Sequence, residues 1–137
     1  MIPHQFHQDI SAHPAGTVIR VKHGWYDHVA MLGDRAVAGE RSVMAFSAQA
    51  GGFVEQPYMS FARGQAVTVE GYLGVLPSTV VMHRARMKRG QAYSWLAFNC
   101  EHFVRYAHGV DVESPQLRQW AFLGGVAGLL TLAARAG

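Results

Sequence analysis

Hydrophobic and polar positions alternate in short runs through the first half of the chain, and helical spacing takes over in the second half. Thr17-Val18-Ile19-Arg20-Val21-Lys22 follows a Pro14-Ala15-Gly16 turn signal and reads as a strand ended by His23-Gly24. Trp25 through Leu32 reads as a second strand, with Gly33-Asp34 as the hairpin turn that closes it. Period-two alternation puts His28, Ala30 and Leu32 on one face of that strand and Val29 and Met31 on the other. A third strand spans about Arg41 to Ser47, a Gly51-Gly52 loop follows, and Ala66 to Tyr72 makes a fourth. After Leu76-Pro77-Ser78 the period changes. Val80, Val81, Arg84, Ala85 and Lys88 recur at helical spacing, and Gly90 ends the run.

A second helix is predicted from Cys100. Phe103, Val104 and Ala107 lie three, four and seven positions after it and share its stripe. Asn99 is the N-cap, Glu101 and Arg105 form an i,i+4 pair, and Gly109 is the stop. The last apolar run, Trp120 to Ala134, opens after Ser114-Pro115 and is bracketed by Arg118 and Arg135. It falls short of the roughly 20 residues that span a bilayer, so a buried or monotopic helix is predicted. The chain divides into a flexible tail over 1–13, one domain over 14–112 and an apolar C-terminal helix over 113–137.

Composition narrows the classes. The 137 residues are half hydrophobic and 15% charged, which excludes a disordered chain and fits a single domain. One cysteine excludes an intramolecular disulfide framework and fits a reducing, cytoplasmic setting. Met1-Ile2-Pro3-His4 carries no basic segment leading into an apolar run, so no secretory signal is predicted. The basic stretch Arg84-Ala85-Arg86-Met87-Lys88-Arg89 lacks aromatic interleaving, and no nucleic-acid partner is expected. His4, His7 and His13 stand near the terminus without a Cys, Asp or Glu at ligand spacing, so neither a metal nor a cofactor is expected.

The candidate chemistry centres on Cys100. In the first turn of a capped helix, free backbone N–H groups and the helix dipole favour a thiolate, which predicts a pKa below that of a free thiol. A lone cysteine is equally well read as a small buried hydrophobe. A thiol nucleophile needs a base, and eight histidines compete. His102 follows Cys100 by two residues and points about 200° away on a helix. His28 sits mid-strand beside Tyr26, where a rigid sheet could hold an imidazole against the helix start, or simply pack it.

Two stretches together carry a resemblance. Asn99-Cys100-Glu101-His102-Phe103 resembles the NCEHF signature of the lecithin:retinol acyltransferase (LRAT) family. His28-Val29-Ala30-Met31-Leu32-Gly33-Asp34 resembles that family's histidine strand, commonly H-Y-G-I-Y-x-G-D, and is one residue shorter. Val43-Met44-Ala45-Phe46-Ser47 resembles its V-I-H-Y-S segment, and Ser60-Phe61-Ala62-Arg63-Gly64 and Tyr93 fit the segments between. The resemblance implies an α+β, circularly permuted papain-like (NlpC/LRAT-type) fold, an antiparallel sheet packed on the cysteine-bearing helix. It implies a thiol acyltransferase or lipid-ester hydrolase forming an acyl-thioester on Cys100 with His28 as base. Tyr26 and the backbone N–H of Cys100 are then candidate oxyanion or positioning groups. The implied partner is a lipid or other acyl-ester substrate, with membrane-surface association through the C-terminal helix. Ala45 stands where the family carries a second, orienting histidine; Ser47, Glu40, Ser42 and Glu70 are the candidate substitutes. Two other readings stay open: a papain-like amidase or peptidase of the NlpC type, and a non-catalytic binding module that kept the fold.

Overall fold

The computed structural model describes residues 10–24 and 26–110, leaving aside the side chains of His23 and Tyr26. Five strands, β1 (Val18–His23), β2 (Tyr26–Val37), β3 (Glu40–Ser47), β4 (Gly52–Pro57) and β5 (Val67–Gly71), form one antiparallel sheet in the order β4-β3-β2-β1-β5. Three helices, α1 (Tyr58–Ala62), α2 (Ser78–Arg86) and α3 (Cys100–His108), complete the α+β domain. The predicted C-terminal helix lies outside the described residues. Within them, no helix is long and apolar enough to cross a membrane.

Both faces of the sheet are buried, which explains why the strands alternate only partly. One face carries Ile19, Val21, Ala30, Leu32, Val43 and Ala45, and packs on Tyr58 and Phe61 of α1 and on Ile10. The other carries Val18, Val29, Met31, Met44 and Phe46, and packs on Val81, Met82 and Ala85 of α2 and on Phe103, Val104 and Ala107 of α3. We call these the α1 face and the α3 face. The predicted stripe of α3 is the one that is buried.

Two expectations are corrected. Gly33-Asp34 is not a turn, because β2 runs through it to Val37 and the hairpin turns at Ala38-Gly39, both at positive φ (53° and 80°). Gly33 is required by crowding instead: a Cβ there would stand 2.1 Å from Ser42 Oγ, where the β2–β3 register shifts. The Gly51-Gly52 loop leads into a fifth strand, β4, and the short α1, neither of which was expected. At the end of the expected tail, Ile10 is 3% exposed and its carbonyl accepts from Arg41 Nη1 at 3.1 Å.

Candidate active site

The start of α3 is built around Asn99. Its backbone is extended (φ −121°), and its Oδ1 accepts from the N–H groups of Glu101 (3.0 Å) and His102 (3.2 Å). In return the Asn99 N–H donates to His102 Nδ1 at 3.2 Å, completing a capping box. His102 is therefore committed to the cap and stacks against Phe98 at 5.9 Å. Cys100 is the first helical residue, half-buried against the α3 face.

The groups acting on the Cys100 thiol are now visible. Burial raises its pKa most, and the carboxylate of Glu101 adds to this. The backbone N–H of Val29, the thiol's own N–H and Arg20 pull the other way, but the net shift is upward. The expected lowering is therefore corrected, because desolvation outweighs the helix start. Among the described residues, no histidine is one of these groups. The β2–β3 ladder begins at Ala30↔Ala45, so the Val29 N–H lies just beyond it, where it favours the thiolate of Cys100.

Arg20 of β1 is the charged centre beside the thiol. Its guanidinium donates to Glu70 at 2.6 and 3.2 Å and reaches Asp27 at 3.5 Å and Glu101 at 3.4 Å. The hydrogen bond to Glu70 is the largest cause holding Arg20 firmly protonated.

His28 lies elsewhere. Its ring packs 5.3 Å from that of Phe61, on the α1 face with Ala30 and Ala45. The sheet stands between it and Cys100, so the structure does not bring the expected nucleophile and base together. The physical reason is parity, since a slip of one residue reverses every side chain of a strand. In H-Y-G-I-Y-x-G-D the histidine precedes the glycine by six positions. Counting back six from Gly33 gives Asp27, which is on the Cys100 side, and His28 is one step off. Ala45 is fully buried on the α1 face opposite Ala30. Of the substitutes named for its missing histidine, only Ser47 shares a pocket with His28. Glu40 accepts from the Met59 N–H, Ser42 is buried under Gly33, and Glu70 holds Arg20. The side chain of Tyr26 is outside the described set.

Sequence reasoning missed Arg20, Asp27 and the Val29 N–H. Asp27 was recoverable by counting from the Gly-Asp pair, and Arg20 by following the alternation of β1. The Val29 amide gives no sequence signal.

A cysteine at the first position of a capped helix, laid on an antiparallel sheet, makes this a thiol-bearing α+β domain. The lecithin retinol acyltransferase family model matches residues 13–111, and the chain belongs to that family. No curated protein matches it. The family is one of acyltransferase and hydrolase type.

Proposed function

We propose that the protein carries acyl groups on Cys100, as an LRAT-like acyltransferase or ester hydrolase in the circularly permuted papain-like arrangement, with the histidine strand ahead of the cysteine helix. The observation that supports this is the seat of Cys100 as the first residue of α3, capped by Asn99, within the stretch that matches the family. Backbone N–H groups at a helix start favour a thiolate and the oxyanion of a tetrahedral intermediate. The thiolate attacks the ester carbonyl, its proton having gone to solvent. The C–O bond breaks, the alkoxide leaves and is protonated, and the thioester passes its acyl group to an alcohol, an amine or water. The apolar 118–135 stretch brings the protein to lipid.

With no imidazole on the thiol among the described residues, turnover follows thiol ionisation and climbs with pH past neutrality. The test is incubation with a fluorogenic ester from pH 6 to 10, followed by intact mass. An acyl adduct on the wild type, absent from Cys100→Ala, is expected. A folded wild type with no adduct and no turnover anywhere in that range would leave the second reading, a binding module. That reading is favoured by Ala45 and by the separation of His28 from Cys100.

A further inference from the structure

The α1 face holds a second small concavity, remote from Cys100, with a volume of about 90 Å³. Its floor is Phe61, with the His28 imidazole packed against that ring. Its walls are Ser47, Gln49, Gln56, Ser60 and Arg63. The side chains of Gln49, Gln56, Ser60 and Arg63 make no hydrogen bond or ion pair among the described residues. Ser47 Oγ accepts from the N–H groups of Gln49 (3.1 Å) and Ala50 (3.3 Å), which leaves its hydroxyl proton to donate elsewhere.

The charge balance is one-sided. Among the described residues no carboxylate lines the pocket, because each is engaged elsewhere. Asp27, Glu70 and Glu101 gather on Arg20, Asp34 and Glu55 on Arg86, and Glu40 on the Met59 N–H. Glu55 precedes Gln56 but points to the α3 face, where it meets Arg86 at 3.1 Å. Among the described residues, Arg63 is left as a guanidinium with no acidic partner.

Arg63 also caps α1 in the left-handed region (φ 50°, ψ 42°), with its N–H on Met59 O at 2.9 Å. Glycine occupies that conformation at least cost, and a residue with a Cβ there carries a modest penalty. The other such residue among those described, Ala38, turns the β2–β3 hairpin, whereas Arg63 lines a pocket. Strain kept at a residue that lines a pocket is the kind found where a side chain is used.

We propose that this pocket binds a phosphate group. Its volume suits a tetrahedral oxyanion, and its donor-bearing residues stand on β3 (Ser47), the loop after it (Gln49), β4 (Gln56), α1 (Ser60) and its cap (Arg63), whereas a planar carboxylate presents only two oxygens. The guanidinium supplies the charge-assisted bonds such an anion prefers. The site is independent of acyl transfer at Cys100, which lies across the sheet.

The experiment uses the full-length ¹⁵N-labelled protein, titrated with sodium phosphate against sodium chloride at matched ionic strength. Saturable shifts are expected at the amides of Gln56, Ser60 and Arg63. Arg63→Gly is the decisive variant, since it relieves the left-handed strain while deleting the cation. Its Tm without ligand should equal or exceed that of the wild type, while phosphate binding weakens at least about tenfold. Ser60→Ala, which leaves the backbone alone, should weaken it to a lesser degree. Iodoacetamide alkylation of Cys100 should be unchanged in both variants, so that a failure here is separable from a failure of the acyl-carrier reading. Glycerol 3-phosphate and phosphatidylcholine vesicles doped with phosphatidic acid distinguish a soluble from a lipid phosphate, and Arg63-dependent binding to either supports the site. The proposal is overturned if no probe binds saturably, or if Arg63→Gly binds as the wild type does.

Discussion

Asp27→His is the substitution that tests the geometry around Cys100 most directly. Asp27 is on the Cys100 side of β2, and its contact with Arg20 is 3.5 Å long with the carboxylate side chain 39% exposed. Losing an ion pair that open costs about 1 kcal/mol or less, and Glu70 still holds Arg20 at 2.6 Å. The fold should survive. In the wild type, burial keeps the thiol above its ordinary pKa, so little of it is thiolate at pH 7. An imidazole on the same side brings a cysteine pKa to about 7, which ionises roughly half of it. A less basic thiolate is also a weaker nucleophile. With a Brønsted slope of about 0.4–0.5, that loss takes back only about half of the gain on a logarithmic scale. The net expectation is a severalfold faster alkylation by iodoacetamide at about pH 7, and a slower one than wild type at alkaline pH, once both thiols are ionised. Intact mass reads this without ambiguity, because Cys100 is the only cysteine. Two profiles that cross are the signature. A folded Asp27→His protein with the wild-type profile would refute the placement of Asp27. So would a wild type that already inflects near neutrality and loses the inflection in His28→Ala.

Three further outcomes follow from packing and protonation. The Gly74 N–H donates to His108 Nδ1 (3.2 Å), so the ring is neutral with Nε2–H donating to Gly16 O (2.8 Å), and burial holds its pKa below the ordinary value. The unfolded chain therefore takes the proton first, and stability should fall as pH drops below about 6.5, by up to about 1.4 kcal/mol per unit. Urea unfolding between pH 7 and 5 should show that slope, and His108→Gln should flatten it. Gly33→Ala should destabilise by several kcal/mol in the same assay, since its Cβ meets Ser42 Oγ at 2.1 Å, and Ser42→Ala should recover part of the loss. Ala45→His forces an imidazole into a fully buried site on the α1 face; it should lower Tm markedly and leave Cys100 alkylation no faster.

Much of the fold was legible because its elements carry local signals. Asn99 and Gly109 bound α3 as expected, and the stripe of Phe103, Val104 and Ala107 is the face it buries. Helix α2 begins after Pro77, where the period changes. What escaped was set by tertiary contact. Gly33-Asp34 has the composition of a turn, yet the glycine is there to clear Ser42, and Asp34 is there to hold Arg86 at 2.6 Å, which ties the end of α2 to the sheet. Strand β4 was missed because Gly52–Pro57 contains Glu55 and Gln56, which read as loop residues. Pairing with β3 makes them a strand, with Glu55 turned to Arg86 and Gln56 to the opposite side.

The placement of Cys100 was legible and that of His28 was not, and the difference is one of periodicity. A helix start is fixed by its cap, so the NCEHF string locates Cys100 however the rest of the chain is spaced. A strand carries no such punctuation inside it. Its side chains have a period of two, and a motif one residue short stays recognisable as a string while its histidine passes to the other side of the sheet. His28 keeps the letter of the motif and Asp27 keeps its place. The α1 face then gives that imidazole different company: Phe61 beneath it, and Ser60 and Arg63 beside it. The face that bears Cys100 is organised by charge, with Arg20 gathering Asp27, Glu70 and Glu101. Any acyl transfer at Cys100 therefore draws on backbone amides and a guanidinium, and its rate should answer to Arg20→Gln and to thiol ionisation before it answers to His28.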